Sequence, residues 1–356
     1  MSNFRSLPEA EEILAKEVLA RHEPEIVRLR RIENLFALYY LSMKVAPACG
    51  TILEALRRGL PPPFIDVSSG TWAFGTSLCG HTLDLPIINV IDRYTSEPLR
   101  GMLRALGCRI VVAPEKPGIG SQVSRLATAA RIVRETGGTF LHQYDSPAVA
   151  AGYQKTVSRL ALEVRPDVLV CSVGSGASSR GFLTLLRLLF PKLIGVGVDV
   201  CGSVTFGQKD EAQLRTIGGL GNSILPRNVV HRLYDDVHFI SGDLARAACR
   251  QLARSEGRLR GDSSGAAFLT ALWYAKRHPN TNVVFISPDT ADRYPDTWSG
   301  DAGRDVLPSE PIRIQHPHQA EVPWSMIEWR RRSYEEVVGR LPERRLFNRL
   351  EQGRIS

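Results

Sequence analysis

Residues 168–179 have the sequence Val168-Leu169-Val170-Cys171-Ser172-Val173-Gly174-Ser175-Gly176-Ala177-Ser178-Ser179. The run begins with a nearly continuous apolar segment, which is typical of a strand buried on both faces. It then passes through small residues into residues 181–186, which predict a helix. A strand, a glycine-rich turn and a helix N-terminus together form an anion site, because backbone N–H groups and the helix dipole both favour negative charge there. We predict a phosphate as the ligand, although this stretch alone is equally compatible with a tight turn that binds nothing.

Length and composition indicate a globular protein of two domains. A chain of 356 residues is long enough for two hydrophobic cores. Its 43% hydrophobic and 23% charged residues are ordinary for globular proteins, and no apolar run is long enough to cross a bilayer. The net charge of +8 is mostly due to arginine, but no basic run alternates with aromatic residues. We therefore expect neither a membrane nor a nucleic acid as a partner.

The six cysteines are scattered along the chain and include no Cys-x-x-Cys pair. Most of them lie in apolar segments. This distribution favours reduced thiols in a cytoplasmic protein over a disulfide framework, and it predicts no metal site. The N-terminus lacks the basic-then-apolar pattern of a signal peptide, which also indicates a cytoplasmic location.

Short apolar segments alternate with amphipathic ones along most of the chain. Strands are predicted at residues 64–67, 87–91, 109–112 and 139–141 in the first half, and at 168–172, 193–198 and 282–286 in the second. Predicted helices lie between several of them. Such alternation is characteristic of parallel sheets covered by helices.

Lys44 lies where a predicted strand at residues 35–39 passes into a predicted helix at 46–58. The residues that follow it, Val45-Ala46-Pro47, are apolar. An amine desolvated by apolar neighbours has a pKa below the usual lysine value of about 10.4, which is the property that Schiff-base chemistry requires. An ordinary surface lysine is the simpler alternative.

Other short motifs follow Lys44 in a fixed order. They are Ser68-Ser69-Gly70-Thr71, Gln143-Tyr144-Asp145-Ser146-Pro147, the glycine-rich loop already quoted, Ile217-Gly218-Gly219-Leu220-Gly221, Gly261-Asp262-Ser263-Ser264-Gly265-Ala266-Ala267 and Asp289 to Tyr294. In this order and at these spacings, the set resembles the cysteine synthase-like enzymes of fold type II, which use pyridoxal 5′-phosphate. The resemblance extends over residues 26–297. A weaker likeness, carried by Ser42-Met43-Lys44, the loop at residues 217–221 and the segment Pro295-Asp296-Thr297-Trp298, is to 2,3-diaminopropionate synthases.

The resemblance implies an α/β protein of two domains, each a mostly parallel twisted sheet flanked by helices, with pyridoxal phosphate in the interdomain cleft. Residues 1–40 and 152–306 would form the large cofactor-binding domain. Residues 41–151 would form a small domain that carries the substrate loop. Residues 307–356 would be a C-terminal extension, in which Trp324, Ile327 and Tyr334 predict an amphipathic segment covering the large domain or the partner subunit of a homodimer.

The resemblance also implies a role for each motif. Lys44 would bind the cofactor covalently and later move the Cα proton of the substrate. The cofactor would further contact Thr71, Gly174, Ser175, Gly176, Ala177, Ser178 and Ser263, the last at the pyridine nitrogen. The substrate would be bound by Ser68, Ser69, Gly70, Thr71, Gln143 and Gly219. A neutral hydroxyl beside the pyridine nitrogen suits β-elimination better than transamination, because the ring is then a weaker electron sink.

Three departures from the family pattern lie next to the reactive centre. Thr71 stands where the family usually has asparagine, Val45-Ala46 replaces a polar pair, and the usual Asn-Pro segment before the lysine motif is missing. We therefore expect β-replacement on an activated serine with a non-standard substrate or nucleophile, in amino-acid biosynthesis. The alternatives are β-elimination of the kind that serine and threonine dehydratases carry out, and a non-catalytic family member that binds a partner.

Overall fold

In the computed structural model, residues 6–115, 120–298 and 307–339 are described. They divide into two compact units. The first unit comprises residues 6–23 and 42–152, and the second comprises residues 24–41 and 153–339.

Strands and helices are numbered in chain order over both units. The strands are β1 (Glu25–Arg28), β2 (Leu35–Tyr39), β3 (Phe64–Val67), β4 (Ile87–Ile91), β5 (Arg109–Val112), β6 (Thr139–Phe140), β7 (Val168–Ser172), β8 (Ile194–Val200), β9 (Asp236–Ile240), β10 (Val283–Ser287), β11 (Ile312–Arg313) and β12 (Trp324–Glu328). The helices are α1 (Leu7–Ile13), α2 (Val45–Arg57), α3 (Thr71–Leu83), α4 (Glu97–Ala105), α5 (Ser121–Thr136), α6 (Pro147–Ala151), α7 (Gln154–Glu163), α8 (Ala177–Leu189), α9 (Gly242–Glu256), α10 (Asp262–Arg277), α11 (Pro295–Trp298) and α12 (Tyr334–Val338).

The first unit contains a four-stranded sheet with the order β5-β4-β3-β6, in which all neighbouring strands are parallel. Both central strands, β3 and β4, are buried along their whole length. Because parallel strands end at the same edge of a sheet, the residues that follow β3 and β4 lie beside each other. This edge positions Ser69 next to Asp92, as described below.

The second unit contains an eight-stranded sheet with the order β1-β2-β10-β7-β8-β9-β12-β11. Its centre, from β2 to β9, is parallel, while β1 and β12 pair antiparallel with their neighbours β2 and β9. Helix α10 is buried from Asp262 to Ala275 and packs on β7 and β10. The predicted α/β class, with mostly parallel sheets, is therefore confirmed in both units.

The N-terminal segment belongs to the first unit, whereas the sequence led us to assign residues 1–40 together to the large domain. Ser6 and Glu9 form a capping box at the start of α1, and Glu11 pairs with Arg57 of α2 at 2.9 Å. Helix α1 thus packs on the helices of the first unit, and only β1 and β2 enter the large sheet.

The C-terminal extension is a part of the large sheet and not an amphipathic cover, which corrects the expectation from sequence. Strand β12 pairs with β9, and β11 adds beyond it. Trp324, Ile327 and Tyr334 are all buried within the second unit. Their apolar spacing therefore reflects a strand and a short helix packed in this core; residues 340–356 lie outside the described part of the chain.

Cys49 and Cys79 form a disulfide between α2 and α3. The expectation that all six cysteines are reduced thiols is therefore wrong for this pair, because packing of the two helices brings residues 30 positions apart in sequence into contact. Cys108, Cys171, Cys201 and Cys249 are free and buried. Among the described residues, no helix combines the length and apolar character needed to span a membrane.

Candidate active site

Lys44 is the residue that immediately precedes α2, at the junction between β2 and that helix. Its side chain is half-buried, and desolvation lowers the pKa of the amine to about 8. Gly75 of α3 lies directly against the Lys44 backbone. The helix that begins at Thr71 therefore packs on the residue that carries the amine.

The loop from Ser68 to Thr71 connects β3 with α3, and Asp66 contacts the residue on each side of it. The Val67 N–H donates to Asp66 Oδ1 at 2.7 Å. The Asp66 carboxylate accepts hydrogen bonds from Trp72 Nε1 at 2.8 Å and from the Gln143 backbone N–H at 3.1 Å. The Gln143 side-chain amide in turn donates to the Val67 carbonyl oxygen. The structure thus brings Gln143 to the loop.

Ser69 is held by a buried ion pair. Its hydroxyl donates to Asp92 Oδ2 and accepts from Arg125 Nη1, each at 2.6 Å, while Arg125 and Asp92 lie 3.6 Å apart. Within the loop, the Gly70 N–H donates to Ser68 Oγ at 3.2 Å. This arrangement fixes the direction of the hydroxyl proton, because a guanidinium can only donate.

The glycine-rich loop runs from β7 into α8, as predicted. Gly176 occupies the N-cap position of α8 with φ +80°, and a Cβ atom there would stand 2.5 Å from the Val229 nitrogen. A Cβ atom on Gly174 would stand 2.2 Å from the carbonyl oxygen of Gly219. Both glycines are therefore required by neighbouring protein backbone.

Gly219 lies in the loop between β8 and β9, so the structure brings this predicted substrate residue next to the glycine-rich loop. Asn222, three residues further on, donates from Nδ2 to the Gly174 carbonyl oxygen at 2.8 Å and to Thr205 Oγ1 at 2.9 Å. These bonds fix the two loops to each other.

Ser263 is the second residue of α10 and is buried. The Ser172 hydroxyl donates to its carbonyl oxygen at 2.7 Å, which ties the end of β7 to the start of α10. Within the described part of the chain, the Ser263 hydroxyl itself makes no hydrogen bond. It is therefore available to a ligand.

These residues have the chemistry that pyridoxal phosphate requires. The start of α8, with the buried hydroxyls of Ser175 and Ser178, presents backbone N–H groups to an anion, and glycine at the N-cap has no side chain to occupy them. Lys44 supplies an amine that is easily deprotonated. The start of α8 in the second unit thus fits the phosphate of this cofactor, and Lys44 in the first unit fits its aldehyde.

Sequence reasoning missed the residues that hold the predicted ones in place. Asp66 is a buried acidic residue within the apolar strand β3, and Arg125 is a buried basic residue on the amphipathic helix α5. A charge in such a segment is a signal for a buried polar network. The partners of each charge could not be read from sequence, because they lie on other strands and helices.

Comparisons with known proteins all indicate the same family. Residues 33–289, most of the chain, match the sequence model of a family described as "Pyridoxal-phosphate dependent enzyme". The N-(2-amino-2-carboxyethyl)-L-glutamate synthase of Cupriavidus metallidurans is 30% identical over 273 residues, which cover 73% of this chain and 80% of that protein. The cysteine synthase of Helicobacter pylori (strain 26695) is 28% identical over 234 residues, or 65% of this chain and 75% of that one.

A solved structure agrees with these relatives. The crystal structure of O-ureido-L-serine synthase is similar to this chain with a TM-score of 0.70 and 25% sequence identity. The similarity covers 79% of this chain and 92% of the other.

Proposed function

The chain belongs to the family of pyridoxal-phosphate dependent enzymes, and on this premise we propose that it catalyses β-replacement on an activated serine. It is an enzyme of the cysteine synthase type, and the reaction belongs to amino-acid biosynthesis. The observation that carries the proposal is Lys44, whose backbone packs against the helix that begins at the substrate loop and whose amine has a pKa lowered by desolvation.

Pyridoxal phosphate, when bound, withdraws electrons from the substrate Cα and so allows the Cα proton and the β-substituent to leave. Lys44 attaches the cofactor and then, as a neutral amine, accepts the Cα proton. The N–H and hydroxyl groups of residues 68–71 bind the substrate carboxylate together with Gln143. Residues 174–178 would hold the phosphate, and the Ser263 hydroxyl would contact the ring nitrogen.

We propose an amino acid as the nucleophile, which attacks through its amine. The name of the relative from Cupriavidus metallidurans describes a 2-amino-2-carboxyethyl group attached to the nitrogen of glutamate, which is the product expected when an amine replaces the β-substituent of serine. The net charge of +8 on this chain favours acidic substrates of this kind.

Product analysis tests the reaction. The purified enzyme would be incubated with O-acetylserine or O-phosphoserine, alone and with glutamate, other amino acids or sulfide, and the products identified by mass spectrometry. We expect a nitrogen-linked product that requires the added amino acid and is absent with Lys44→Ala. If the enzyme forms cysteine with sulfide but no product with any amino acid, the amine nucleophile is contradicted. If keto acid and ammonia form equally with and without a nucleophile, the reaction is β-elimination and not β-replacement.

We also propose a homodimer. Leu162 on α7 and Leu188 and Leu189 on α8 are exposed, on two helices that pack against each other. Burying them against a second copy would remove apolar surface from water. Light scattering on the eluted protein measures the mass, and a monomer at micromolar concentration would contradict the dimer.

We propose the cytoplasm as the compartment. The four free, buried cysteines support it, whereas the disulfide Cys49–Cys79 is unusual for a reducing compartment. Denaturing intact cells in an alkylating reagent decides between the two. Six alkylated cysteines would show that the compartment keeps Cys49 and Cys79 reduced, as the cytoplasm would, and four would show that the disulfide persists and would contradict a reducing compartment.

A further inference from the structure

Arg260 is a buried arginine that lies two residues before Asp262, the first residue of α10. Its Nε donates to Ser287 Oγ at 2.7 Å, and its Nη2 donates to the Ser287 carbonyl oxygen at 3.0 Å and to the Tyr40 carbonyl oxygen. The guanidinium also lies over the Tyr39 ring, 5.2 Å from its centroid. One side chain therefore connects the ends of β2 and β10.

The hydrogen bonds continue from Ser287 to α10. The Ser287 hydroxyl donates to Ser264 Oγ at 2.9 Å. Because the guanidinium can only donate, Ser287 Oγ must accept from Arg260, and its single proton is left for Ser264. Arg260 thus fixes the direction of this bond at the residue beside Ser263.

The two ends of this network lie next to residues of the proposed reaction. Ser264 follows Ser263, whose hydroxyl we assign to the ring nitrogen, and Tyr40 precedes Lys44 by four positions in the sequence. The Tyr40 N–H also donates to the Ser287 carbonyl oxygen, at 3.0 Å, so that both polar atoms of the Tyr40 backbone are held. The chain leaves the second unit immediately after this point.

We propose that Arg260 is a positioning residue, which fixes Ser263 and the chain segment before Lys44 for the reaction. This inference rests on the proposed function. A guanidinium suits this role because its planar fork can hold three acceptors at once, in a geometry that the single ammonium group of lysine does not reproduce. A displacement of about 1 Å at a reacting group can cost about 100-fold in rate, so a remote anchor of this kind affects catalysis strongly.

The experiment compares four variants of the full chain. Arg260→Met removes the network, Arg260→Lys keeps the charge, and Ser287→Ala removes only the connection to Ser264. Arg258→Met is the matched control, because Arg258 also lies over the Tyr39 ring, at 5.0 Å, but is partly exposed and pairs with Glu25. The readouts are kcat/KM, the visible spectrum of bound cofactor, and hydrogen exchange of the backbone amides of residues 263–265 in protein without cofactor.

We expect Arg260→Met to lower kcat/KM by about 100-fold, to alter the spectrum and to speed exchange at residues 263–265. Ser287→Ala should lower kcat/KM by about tenfold, which corresponds to the loss of one hydrogen bond. Arg260→Lys should lower kcat/KM less than Arg260→Met does. Arg258→Met should behave as the parent. If Arg260→Met does not fold, the same measurements on Ser287→Ala test the proposal.

The proposal is overturned if the folded fraction of Arg260→Met, or of Ser287→Ala in its place, keeps the spectrum and kcat/KM of the parent. Lower thermal stability alone would show a purely structural role and would also overturn it. A parent protein that binds no pyridoxal phosphate would refute the proposed function instead. In that case, equal amide exchange at residues 263–265 in the parent and in Arg260→Met would refute the positioning separately.

Discussion

The carbonyl oxygen of Lys44 lies 2.8 Å from the point where a Cβ atom on Gly75 would stand. Gly75 lies within α3, so its missing side chain allows this helix to pack directly on the residue that begins α2. Ala48 Cβ, one turn into α2, would be 3.1 Å from the same point. Close packing of these two helices therefore determines where the Lys44 backbone lies.

Gly75→Ala should push α3 away from Lys44. We expect a loss of about 1–3 kcal/mol in the free energy of unfolding, because the neighbours are backbone and a short side chain that cannot move aside. Gly101→Ala on α4 is the control; its Cβ would meet nothing within 4 Å, and it should stabilise the protein by about 0.4–1 kcal/mol. Urea unfolding compares the two, and equal midpoints would contradict the packing argument.

The lowered pKa of Lys44 predicts the pH dependence of cofactor attachment. Below its pKa the amine is protonated and cannot attack the aldehyde, so the attachment rate should rise through pH 8 and level off above it. With an ordinary lysine, the attachment rate would continue to rise up to about pH 10.4. Borohydride trapping after mixing with cofactor measures the rate. Lys155→Ala is the control and should keep the label, which Lys44→Ala should lose; a rate that still climbs above pH 9 would argue against desolvation.

The glycine-rich loop predicts unequal effects of two glycine substitutions. Gly176 and Gly219 both have positive φ, +80° and +82°, so alanine is strained at either position. Only at Gly176 would the new Cβ meet backbone atoms, at 2.5 Å, whereas at Gly219 it meets nothing within 4 Å. Gly176→Ala should therefore weaken cofactor retention much more than Gly219→Ala, as measured by fluorescence titration. Equal dissociation constants would mean that the loop tolerates the shift.

Breaking the disulfide should destabilise the first unit. Its closed loop of about 30 residues predicts a loss of about 3.5 kcal/mol in the free energy of unfolding when both Cys49 and Cys79 are replaced by alanine. A reducing agent should lower the stability of the parent to the same level and leave the double variant unchanged. Identical unfolding curves of the parent with and without reductant would contradict a stabilising role.

The hydroxyl of Ser263 predicts the choice between two products. Ser263→Asp should favour a protonated ring nitrogen, strengthen the ring as an electron sink and increase transamination relative to loss of the β-substituent. Ser263→Ala should bind the cofactor with a loss of only about 0.5–1.5 kcal/mol. Quantifying pyridoxamine phosphate against the replacement product measures the ratio. If the aspartate variant holds cofactor and keeps the parent ratio, Ser263 does not face the nitrogen.

The elements of the fold that depend on local pattern could be predicted. Strands such as β3 and β7 are short apolar runs that end in glycine and serine, and their parallel pairing follows from the helices between them. Helix α3 was not predicted, because it carries apolar residues on several faces and two glycines, Gly75 and Gly80, that normally indicate turns. Without α3, the contact of Cys79 with Cys49 could not be foreseen either.

The residues of the candidate site that lie in loops could be predicted from sequence, but the buried residues that hold these loops in place could not. Lys44, residues 68–71 and residues 174–178 occur in short motifs, and their proposed roles stay predictions. Arg260 gave no signal, because its function depends on Tyr40 and Ser287, which approach it only when β2 and β10 pair. Such partners are set by tertiary packing, which a single sequence does not display.

During synthesis on the ribosome, the two sheets become complete at very different times. The four-stranded sheet is built from consecutive strands, β3 to β6, so all its strands exist once residue 140 has emerged. In the large sheet, β2 cannot pair with β10 until Val283, the partner of Leu35, has been synthesised, and β9 cannot pair with β12 until residue 324 has been added. Because long-range pairing is slow and exposes unpaired strand edges, β1 and β2 remain a risk for aggregation until nearly the whole chain is made. Truncation before β12 should therefore yield insoluble protein even though every residue of the proposed site is present.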